Sequence, residues 1–298
     1  MVPEVSLLTL EQAVRAAQAL GLERLDAQQL LLHALGASRN DRAWLVAHSS
    51  DALDPDVTDR YQHLIQRRAA GEPLAYLLER REFFGLDLLV DARVLIPRAD
   101  TETLVTWALE VPLPLPSDQA ARVLDLGTGS GAIALAIKHN RPAFEVHAID
   151  ASADALDVAV ANAERLGLSV GFQGSAWFDE VQGSFDLIVS NPPYIAEADP
   201  HLPALRHEPS TALTSGVDGL ADLRRIIDAA PLHLRPGGWL LLEHGYDQAA
   251  AVQQLLRARG FSQVSTREDL AGVPRCSGGA WLAEATDPSA VSPCEYGR

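Results

Sequence analysis

Cysteine is nearly absent from this chain of 298 residues, which contains only Cys276 and Cys294. Two cysteines without CxxC spacing exclude a disulfide framework and are typical of a reducing compartment. Long apolar runs are missing too, because no stretch approaches the length that spans a bilayer. The amino end also lacks the basic-then-apolar pattern of a secretion signal. We therefore expect a cytoplasmic protein with no membrane partner.

Positive charge is scarce, since 24 Lys and Arg residues stand against 40 Asp and Glu residues, for a formal net charge of −16. Proteins that bind nucleic acid gain most of their affinity from clustered basic residues, so no direct nucleic-acid partner is expected. A protein partner with a basic patch suits this acidic chain better. The nine histidines show no ligand spacing, and we expect no metal.

The first part of the chain, from Thr9 to about Gly71, has short helical patterns. Capping-box spacings at Thr9 and Asp26 indicate helix starts. These patterns predict a small helical domain over residues 1–75 that recognises the substrate.

Residues 76–98 are predicted to form a bridging segment with a β-hairpin. Its two strands would be Phe83–Leu88 and Arg93–Pro97, which have the composition of strands.

Strands and helices alternate through the remaining chain, which we assign to a catalytic domain over residues 99–286. Repeated βα units predict a doubly wound α/β fold with a mostly parallel sheet. Two further strands near the C-terminus complete it, with an antiparallel C-terminal strand, and residues 287–298 are expected to be a disordered tail. The five predicted strands of the alternating part are Val123–Leu126, Glu145–Ile149, Val170–Gln173, Phe185–Ser190 and Trp239–Glu243.

A glycine loop follows the first strand of this domain and consists of Gly127, Thr128, Gly129, Ser130 and Gly131. Its three glycines allow the backbone to approach a ligand closely at the positive end of the next helix. The loop also satisfies the looser dinucleotide-binding fingerprint, so by itself it does not distinguish between nucleotide ligands.

Asp150 ends the second strand, about twenty residues after the loop, where a carboxylate accepts hydrogen bonds from ribose hydroxyls. The alternative role for Asp150 is to cap the helix that starts at Ala153.

The segment Asn191-Pro192-Pro193-Tyr194 follows the apolar strand Phe185–Ser190. Two prolines stiffen the backbone and donate no hydrogen bond, so the Pro192 carbonyl is a fixed acceptor beside the Asn191 side-chain carbonyl. Two rigid acceptors suit a planar –NH2 group, and Tyr194 offers a flat surface against it. The simpler reading of Asn-Pro as a turn opener is weakened by the nearby nucleoside site.

Taken together, these motifs resemble a class I S-adenosylmethionine-dependent methyltransferase, with a Rossmann-like fold, that acts on amino groups. More closely, the chain is similar to the bacterial release factor glutamine methyltransferase family. That similarity rests on the following segments: Gly71–Tyr76, Arg81–Gly85, Val94–Arg98, Thr101-Glu102, Trp177-Phe178, Glu208-Pro209, Leu242–Gly245 and Asp269–Gly272. Two positions depart from the family pattern, Ala99 in place of proline and Ala176 in place of an acidic residue.

The resemblance implies that S-adenosylmethionine binds at Gly127 to Gly131, Asp150, Trp177 and Asn191. It also implies that Asn191 to Tyr194 form the catalytic and substrate-binding segment. The substrate would be the glutamine of the Gly-Gly-Gln motif of peptide chain release factors, methylated at N5.

Three alternatives stay open at this point. They are glutamine methylation of a ribosomal protein, methylation of adenine N6 or guanine N2 in nucleic acid, and a nucleotide-binding module without transfer activity. No general base is evident, although Glu208, Glu243 and His244 are candidate proton acceptors.

Overall fold

The structure is a computed structural model that describes residues 8–37, 41–113 and 119–282. The chain divides into two compact units, one formed by the residues up to Ile96 with His201–Pro209, and the other by Pro97–Pro200 with the residues from Ser210 onward. The three-part division expected from the sequence stays a prediction. The expected tail over 287–298, and Cys294, lie outside the described residues.

The first unit contains five helices in its described part: α1 (Leu10–Ala19), α2 (Arg24–Ala34), α3 (Arg42–Ala47), α4 (Pro55–Ala69) and α5 (Leu74–Leu77). The Thr9 capping box is confirmed, because its side chain accepts from the Gln12 backbone and the Gln12 side chain accepts in return. The Asp26 cap is wrong, since α2 begins at Arg24 and Asp26 lies in its first turn. Leucines of α2 and Tyr61 of α4 fill the core of this unit.

A hairpin follows, with strands β1 (Arg80–Phe83) and β2 (Leu86–Leu89) paired antiparallel. Its turn is Phe84-Gly85, and both residues have positive φ, 49° and 78°, as a tight two-residue hairpin turn requires. The predicted strand pair is therefore wrong in detail. The turn lies inside the segment predicted as the first strand, and Arg93–Pro97 is not a strand.

The second unit is built on a seven-stranded sheet with strand order β5-β4-β3-β6-β7-β9-β8. Strand β9 runs antiparallel to both of its neighbours, while the pairs from β5 to β7 are parallel. This confirms the expected α/β fold class. The strands are β3 (Arg122–Leu126), β4 (Glu145–Asp150), β5 (Gly171–Gly174), β6 (Phe185–Ser190), β7 (Leu234–Glu243), β8 (Ser262–Glu268) and β9 (Pro274–Trp281).

Five helices cover this sheet: α6 (Glu102–Glu110), α7 (Ala132–Asn140), α8 (Ala153–Leu166), α9 (Ala221–Ala229) and α10 (Ala249–Arg259). Leu223, Ile226 and Leu256 pack from α9 and α10 onto apolar side chains of the central strands. None of the helices in the described part of the chain has the length and apolarity that crossing a bilayer requires.

Strand β6 is buried along its whole length, although Asp186 interrupts its apolar run. The Asp186 carboxylate accepts hydrogen bonds from the Arg122 backbone N–H and the Arg235 guanidinium, both at 2.8 Å. A buried charge is tolerated when it is paired in this way. The central strand can therefore stay buried on both faces and hold its carboxyl end in a fixed place.

Replacing Gly278 tests the close packing of β7 against β9. A Cβ at this buried position would lie 2.5 Å from the Leu240 carbonyl oxygen and 2.6 Å from Leu241 Cδ2. We expect Gly278→Ala to lower the free energy of unfolding by about 1–3 kcal/mol, the usual range for overpacking, as measured by urea unfolding.

Gly174→Ala is the matched control, because its added Cβ has just one neighbour within 4 Å among the residues that the structure describes, Leu156 Cδ1 at 4.0 Å. Equal stability of the two variants would contradict the packing described here.

Candidate functional site

Two loops leave the sheet side by side at the carboxyl ends of β3 and β6. Leu126 and Ser190 are register partners on these parallel strands, and the Ser190 hydroxyl donates to the Leu126 carbonyl at 2.7 Å. Gly127 and Asn191 are the next residues along each chain segment. The register thus places the glycine loop directly beside the Asn-Pro-Pro-Tyr segment.

The glycine loop adopts backbone dihedral angles that are unfavourable for residues with a side chain. Gly127, Gly129 and Gly131 have φ of 71°, 55° and 83°, the left-handed region that favours glycine. Thr128 and Ser130 between them are buried. A Cβ at Gly131, the N-cap of α7, would lie 3.0 Å from Leu135 Cδ1. No atom in the described part of the chain lies within 4 Å of a Cβ at Gly129, so the middle of the loop is open to close approach.

Asp150 connects the end of β4 to this loop. Its Oδ2 accepts a hydrogen bond from the Gly129 backbone N–H at 2.9 Å, and its Oδ1 accepts from the Ser152 N–H at 2.9 Å. The helix-capping alternative is wrong, because the N-cap of α8 is Ser152, whose side chain accepts from Ala155. A carboxylate at the glycine loop is the arrangement expected of a ribose-binding acid.

Asp125 lies under the glycine loop and supports it. Its Oδ2 accepts from the Thr128 hydroxyl at 2.6 Å and the Ala134 N–H at 3.2 Å. Its Oδ1 is buried and has no hydrogen-bond partner in the described structure. Burial raises the pKa of the Asp125 carboxyl to about 7, although the Thr128 and Ala134 donors act in the opposite direction.

Trp177 follows β5, and its ring lies against the glycine loop at Gly127. A Cβ at Gly127 would be 3.4 Å from a carbon of the Trp177 ring, so glycine leaves room for the indole. The indole N–H donates to Asp222 Oδ1 at 3.0 Å. Ala176, which departs from the family pattern, is exposed beside it.

The Asn-Pro-Pro-Tyr segment is held from three sides. Asn191 Nδ2 donates to the Thr101 hydroxyl at 3.2 Å, which directs Oδ1 away from Thr101. The Tyr194 hydroxyl donates to Glu243 Oε1 at 3.2 Å, and the Tyr194 carbonyl accepts from Gln248 Nε2 at 3.0 Å. Burial is the largest of the effects that raise the pKa of Tyr194, so its hydroxyl stays protonated at neutral pH.

The three candidate proton acceptors have defined surroundings. Both ring nitrogens of His244 are engaged, at 2.8 Å from the Gly245 carbonyl and the Ser277 hydroxyl, and burial lowers the pKa of this histidine. Glu208, which belongs to the first unit, accepts from the Ile96 N–H at 3.1 Å. Glu243 is fully buried at the end of β7, where burial raises its carboxyl pKa to about 7.

Metal ligands are not clustered in the described ranges, where no group of three or more His, Cys, Asp or Glu side chains is placed to hold an ion. The side-by-side glycine loop, ribose-type acid and amide-bearing segment fit a nucleoside cofactor next to a planar nitrogen substrate.

Comparison with known proteins identifies the family to which the chain belongs. The chain is 52% identical over 275 residues to a release factor glutamine methyltransferase of Xylella fastidiosa (strain Temecula1), with 89% of this chain and 98% of that protein covered. The chain belongs to the release factor glutamine methyltransferase family. A family member from Bordetella pertussis is 51% identical over 263 residues, which cover 87% of this chain and 95% of that protein.

Family-level matches agree with this assignment. Residues 9–78 match the PrmC N-terminal domain and residues 110–207 match the Methyltransferase small domain. A crystal structure of a methyltransferase from Pyrococcus furiosus has the same fold, with a TM-score of 0.51 at 20% identity, over 76% of this chain and all of that one. The resemblance seen in the sequence, the enzyme class and S-adenosylmethionine as cofactor are thereby confirmed.

Three polar partners in the site were missed in the sequence: Thr101, Asp222 and Gln248. Thr101 belongs to a segment that carried the family resemblance, but nothing local indicated that it contacts Asn191, which is 90 residues away. Asp222 and Gln248 contact Trp177 and Tyr194 across 45 and 54 residues. No pattern in the sequence pointed to these contacts.

Gly219 tests how tightly the loop after β6 is held. A Cβ here would overlap the Tyr194 carbonyl oxygen and approach Gln248 Nε2 to 2.8 Å. We expect Gly219→Ala to displace Tyr194 and lower kcat for methyl transfer about 10-fold or more, measured with labelled S-adenosylmethionine.

The control is Gly216→Ala. Gly216 has nearly the same positive φ, 70° against 71°, but its added Cβ would meet, within the described ranges, only Ala221 Cβ, at 3.2 Å. A similar loss in both variants would attribute the effect to backbone strain instead of the Tyr194 contact.

Asp125 gives a prediction for stability against pH. Its pKa rises from 3.8 to about 7 on folding, so its favourable contribution is present below pH 4 and is lost as the pH rises through 7. The free energy of unfolding of the wild type minus that of Asp125→Asn should fall over this range, by about 1.4 kcal/mol per unit of pKa shift. Urea unfolding at several pH values measures this difference in free energy between the two proteins. A difference that rises with pH would contradict the conclusion that burial raises the Asp125 pKa.

Proposed function

We propose that this chain transfers the methyl group of S-adenosylmethionine to the N5 amide nitrogen of the glutamine in the Gly-Gly-Gln motif of peptide chain release factors. The observation that supports this most is the register pairing of Leu126 with Ser190. It puts the glycine loop and the Asn-Pro-Pro-Tyr segment at adjacent positions on one sheet edge, where open α/β sheets bind their ligands, and this supports a nucleoside site beside a pair of amide acceptors.

The residues proposed to bind S-adenosylmethionine surround the glycine loop. The glycine loop, Gly127 to Gly131, would let the cofactor approach its backbone closely at the N-terminus of α7, and Asp150 would accept from the ribose hydroxyls. Trp177 and Asn191 would complete the contacts to the cofactor. When bound, S-adenosylmethionine supplies a methyl group activated by its sulfonium charge.

The residues proposed to bind the substrate are Asn191, Pro192, Pro193 and Tyr194. Asn191 Oδ1 and the Pro192 carbonyl accept the two hydrogens of the glutamine amide, and the Tyr194 ring lies along its plane. The hydrogen bond from Asn191 Nδ2 to Thr101 supports this role, because it directs the Oδ1 end of the Asn191 amide away from Thr101 and leaves it for a substrate.

Positioning provides much of the catalysis. An amide nitrogen is a poor nucleophile because its lone pair is delocalised into the carbonyl, so fixing its direction toward the methyl group removes a large entropic cost. As the N–C bond forms, the bond between the methyl carbon and sulfur breaks and leaves its electron pair on sulfur. Positive charge grows on nitrogen, and the two acceptor oxygens would stabilise it. The extra amide proton is then lost to water. None of the site carboxyls has to remove it beforehand.

The helical first unit is proposed to recognise the release factor. Its match to the PrmC N-terminal domain over residues 9–78 distinguishes this part of the chain from the catalytic part, and the acidic chain suits a partner with a basic surface. Release factors act during translation, so we place the reaction in the cytoplasm.

Substrate choice is tested by incubating the protein with labelled S-adenosylmethionine and, separately, a purified release factor, ribosomal proteins and RNA. We expect label only in the release factor, and none when the glutamine of its Gly-Gly-Gln motif is replaced by alanine. Label in ribosomal protein or in RNA alone would overturn the assignment in favour of one of the alternatives.

The acceptor pair is tested by Asn191→Ala. Removing one of two acceptors that hold the amide should reduce kcat by about 100-fold or more. Asn140→Ala, an exposed asparagine at the end of α7, is the control and should keep wild-type kcat. Full methylation by Asn191→Ala would refute the role of the acceptor pair.

A further inference from the structure

The buried carboxyl group of Glu243 is linked by hydrogen bonds to both ends of the Asn-Pro-Pro-Tyr segment. Glu243 ends β7, and the preceding residue, Leu242, is the register partner of Ser190 on β6. Glu243 therefore stands next to Asn191 at the sheet edge. It is 1% exposed, so its contacts are made entirely with protein groups.

The first contact reaches Asn191 through Thr101. The Thr101 hydroxyl is buried and hydrogen-bonded to the Glu243 carboxyl, and the same oxygen accepts from Asn191 Nδ2 at 3.2 Å. A hydroxyl has one hydrogen, and a carboxylate can only accept. Thr101 must therefore donate to Glu243, which leaves its oxygen free to accept from Asn191.

These donor and acceptor roles of the Thr101 hydroxyl fix the orientation of the Asn191 side-chain amide. With the –NH2 end committed to Thr101, the Oδ1 end is the one left for a substrate amide. If Glu243 were a carboxamide, its –NH2 could donate to Thr101, and the hydroxyl would then be free to donate to Asn191 Oδ1. The Asn191 amide could turn over and present its –NH2 to the substrate, which is the wrong polarity.

The second contact holds Tyr194, whose hydroxyl donates to Glu243 Oε1 at 3.2 Å. Residues 191 and 194, the first and last of the segment, thus depend on one acceptor. Glu243 Oε2 is buried and has no partner in the part of the chain that the structure describes, so both hydroxyl hydrogen bonds are made to Oε1.

The groups around Glu243 shift the pKa of its carboxyl group in both directions. Burial raises its pKa to about 7, and Asp100 acts in the same direction. The Thr101 and Tyr194 hydrogen bonds and the Arg275 charge act the other way. Arg275 is itself held by Asp100 and Asp269, at 3.0 and 2.9 Å. The two hydroxyl donors thus favour the charged form against the effect of burial, and a carboxyl group protonated on Oε2 would still accept at Oε1.

We propose that Glu243 is a positioning residue that, through the Thr101 hydroxyl, sets which end of the Asn191 amide faces the substrate glutamine, and that it holds Tyr194 in place beside it. This inference rests on the proposed function of Asn191 as an acceptor for the glutamine amide. Glu243 itself contacts neither the substrate nor the cofactor in this account.

The test compares four variants of the full chain: Glu243→Gln, Thr101→Val, Thr101→Ser and Tyr194→Phe. Glu243→Gln and Thr101→Val should lower kcat for methylation of a release factor by about 30- to 100-fold. The KM for S-adenosylmethionine should change much less than kcat, since the glycine loop, which supplies most of the proposed cofactor contacts, does not depend on this network. Thr101→Ser keeps the hydroxyl and should restore most of the loss. Tyr194→Phe should cost less than Thr101→Val, because it leaves the Asn191 polarity intact.

Thr106→Val is the matched control for a lost hydroxyl. Thr106 lies on α6, which begins directly after Thr101, but its side chain is exposed, and among the described residues its hydroxyl bonds only the Glu102 carbonyl of that helix, so kcat should not change. The double variant Thr101→Val with Glu243→Gln should be no slower than either single one, because both break the same relay.

The contrary outcomes separate this proposal from the proposed function. If the wild type methylates the release factor and Thr101→Val keeps its kcat, or the two losses multiply in the double variant, the relay is refuted while the function stands. A rise in the KM for S-adenosylmethionine that matches the fall in kcat would also refute it. If the wild type labels only ribosomal protein or RNA, the proposed function fails first.

Discussion

Three parallel strands lie side by side at Leu126, Ser190 and Leu242, and this register sets the positions of the glycine loop, Asn191 and Glu243. The residues that follow are Gly127, Asn191 and Glu243, so a backbone pattern of hydrogen bonds brings together three segments that are far apart along the chain. Slipping one strand by one residue would exchange its inward and outward side chains. The register is secured by burial, because β6 and the carboxyl half of β7 have no exposed residue.

The fold could be predicted from the sequence where burial and local signals agreed. Helix α8 was predicted to begin at Ala153 and does so, and Gly167, a residue type that ends helices, follows its last residue. The predicted hairpin strands were misplaced because Phe84 takes a positive φ, which its residue type does not indicate. The ends of strand β9 are hard to predict, since Pro274, Gly278 and Gly279 are typical of turns, yet here they lie in a strand paired on both sides.

The site was predictable only as far as its motifs are contiguous. The glycine loop, Asp150 and Asn-Pro-Pro-Tyr each follow a recognisable strand, and parallel strands gather at one edge. The groups that orient them are not contiguous. Thr101, Glu243 and Gln248 contribute through side chains whose partners are distant in sequence, and a serine or valine at position 101 would have looked equally plausible in the sequence. Prediction from sequence therefore found the contiguous motifs and missed the distant hydrogen bonds that hold them.

The measurement that tests the account most directly is a crystal structure of the protein with S-adenosylhomocysteine and a peptide that contains Gly-Gly-Gln. The account predicts the glutamine amide nitrogen at hydrogen-bonding distance, about 3 Å, from both Asn191 Oδ1 and the Pro192 carbonyl, with the cofactor against Gly127 to Gly131. A glutamine side chain bound elsewhere, or Asn191 with its –NH2 toward the peptide, would contradict it.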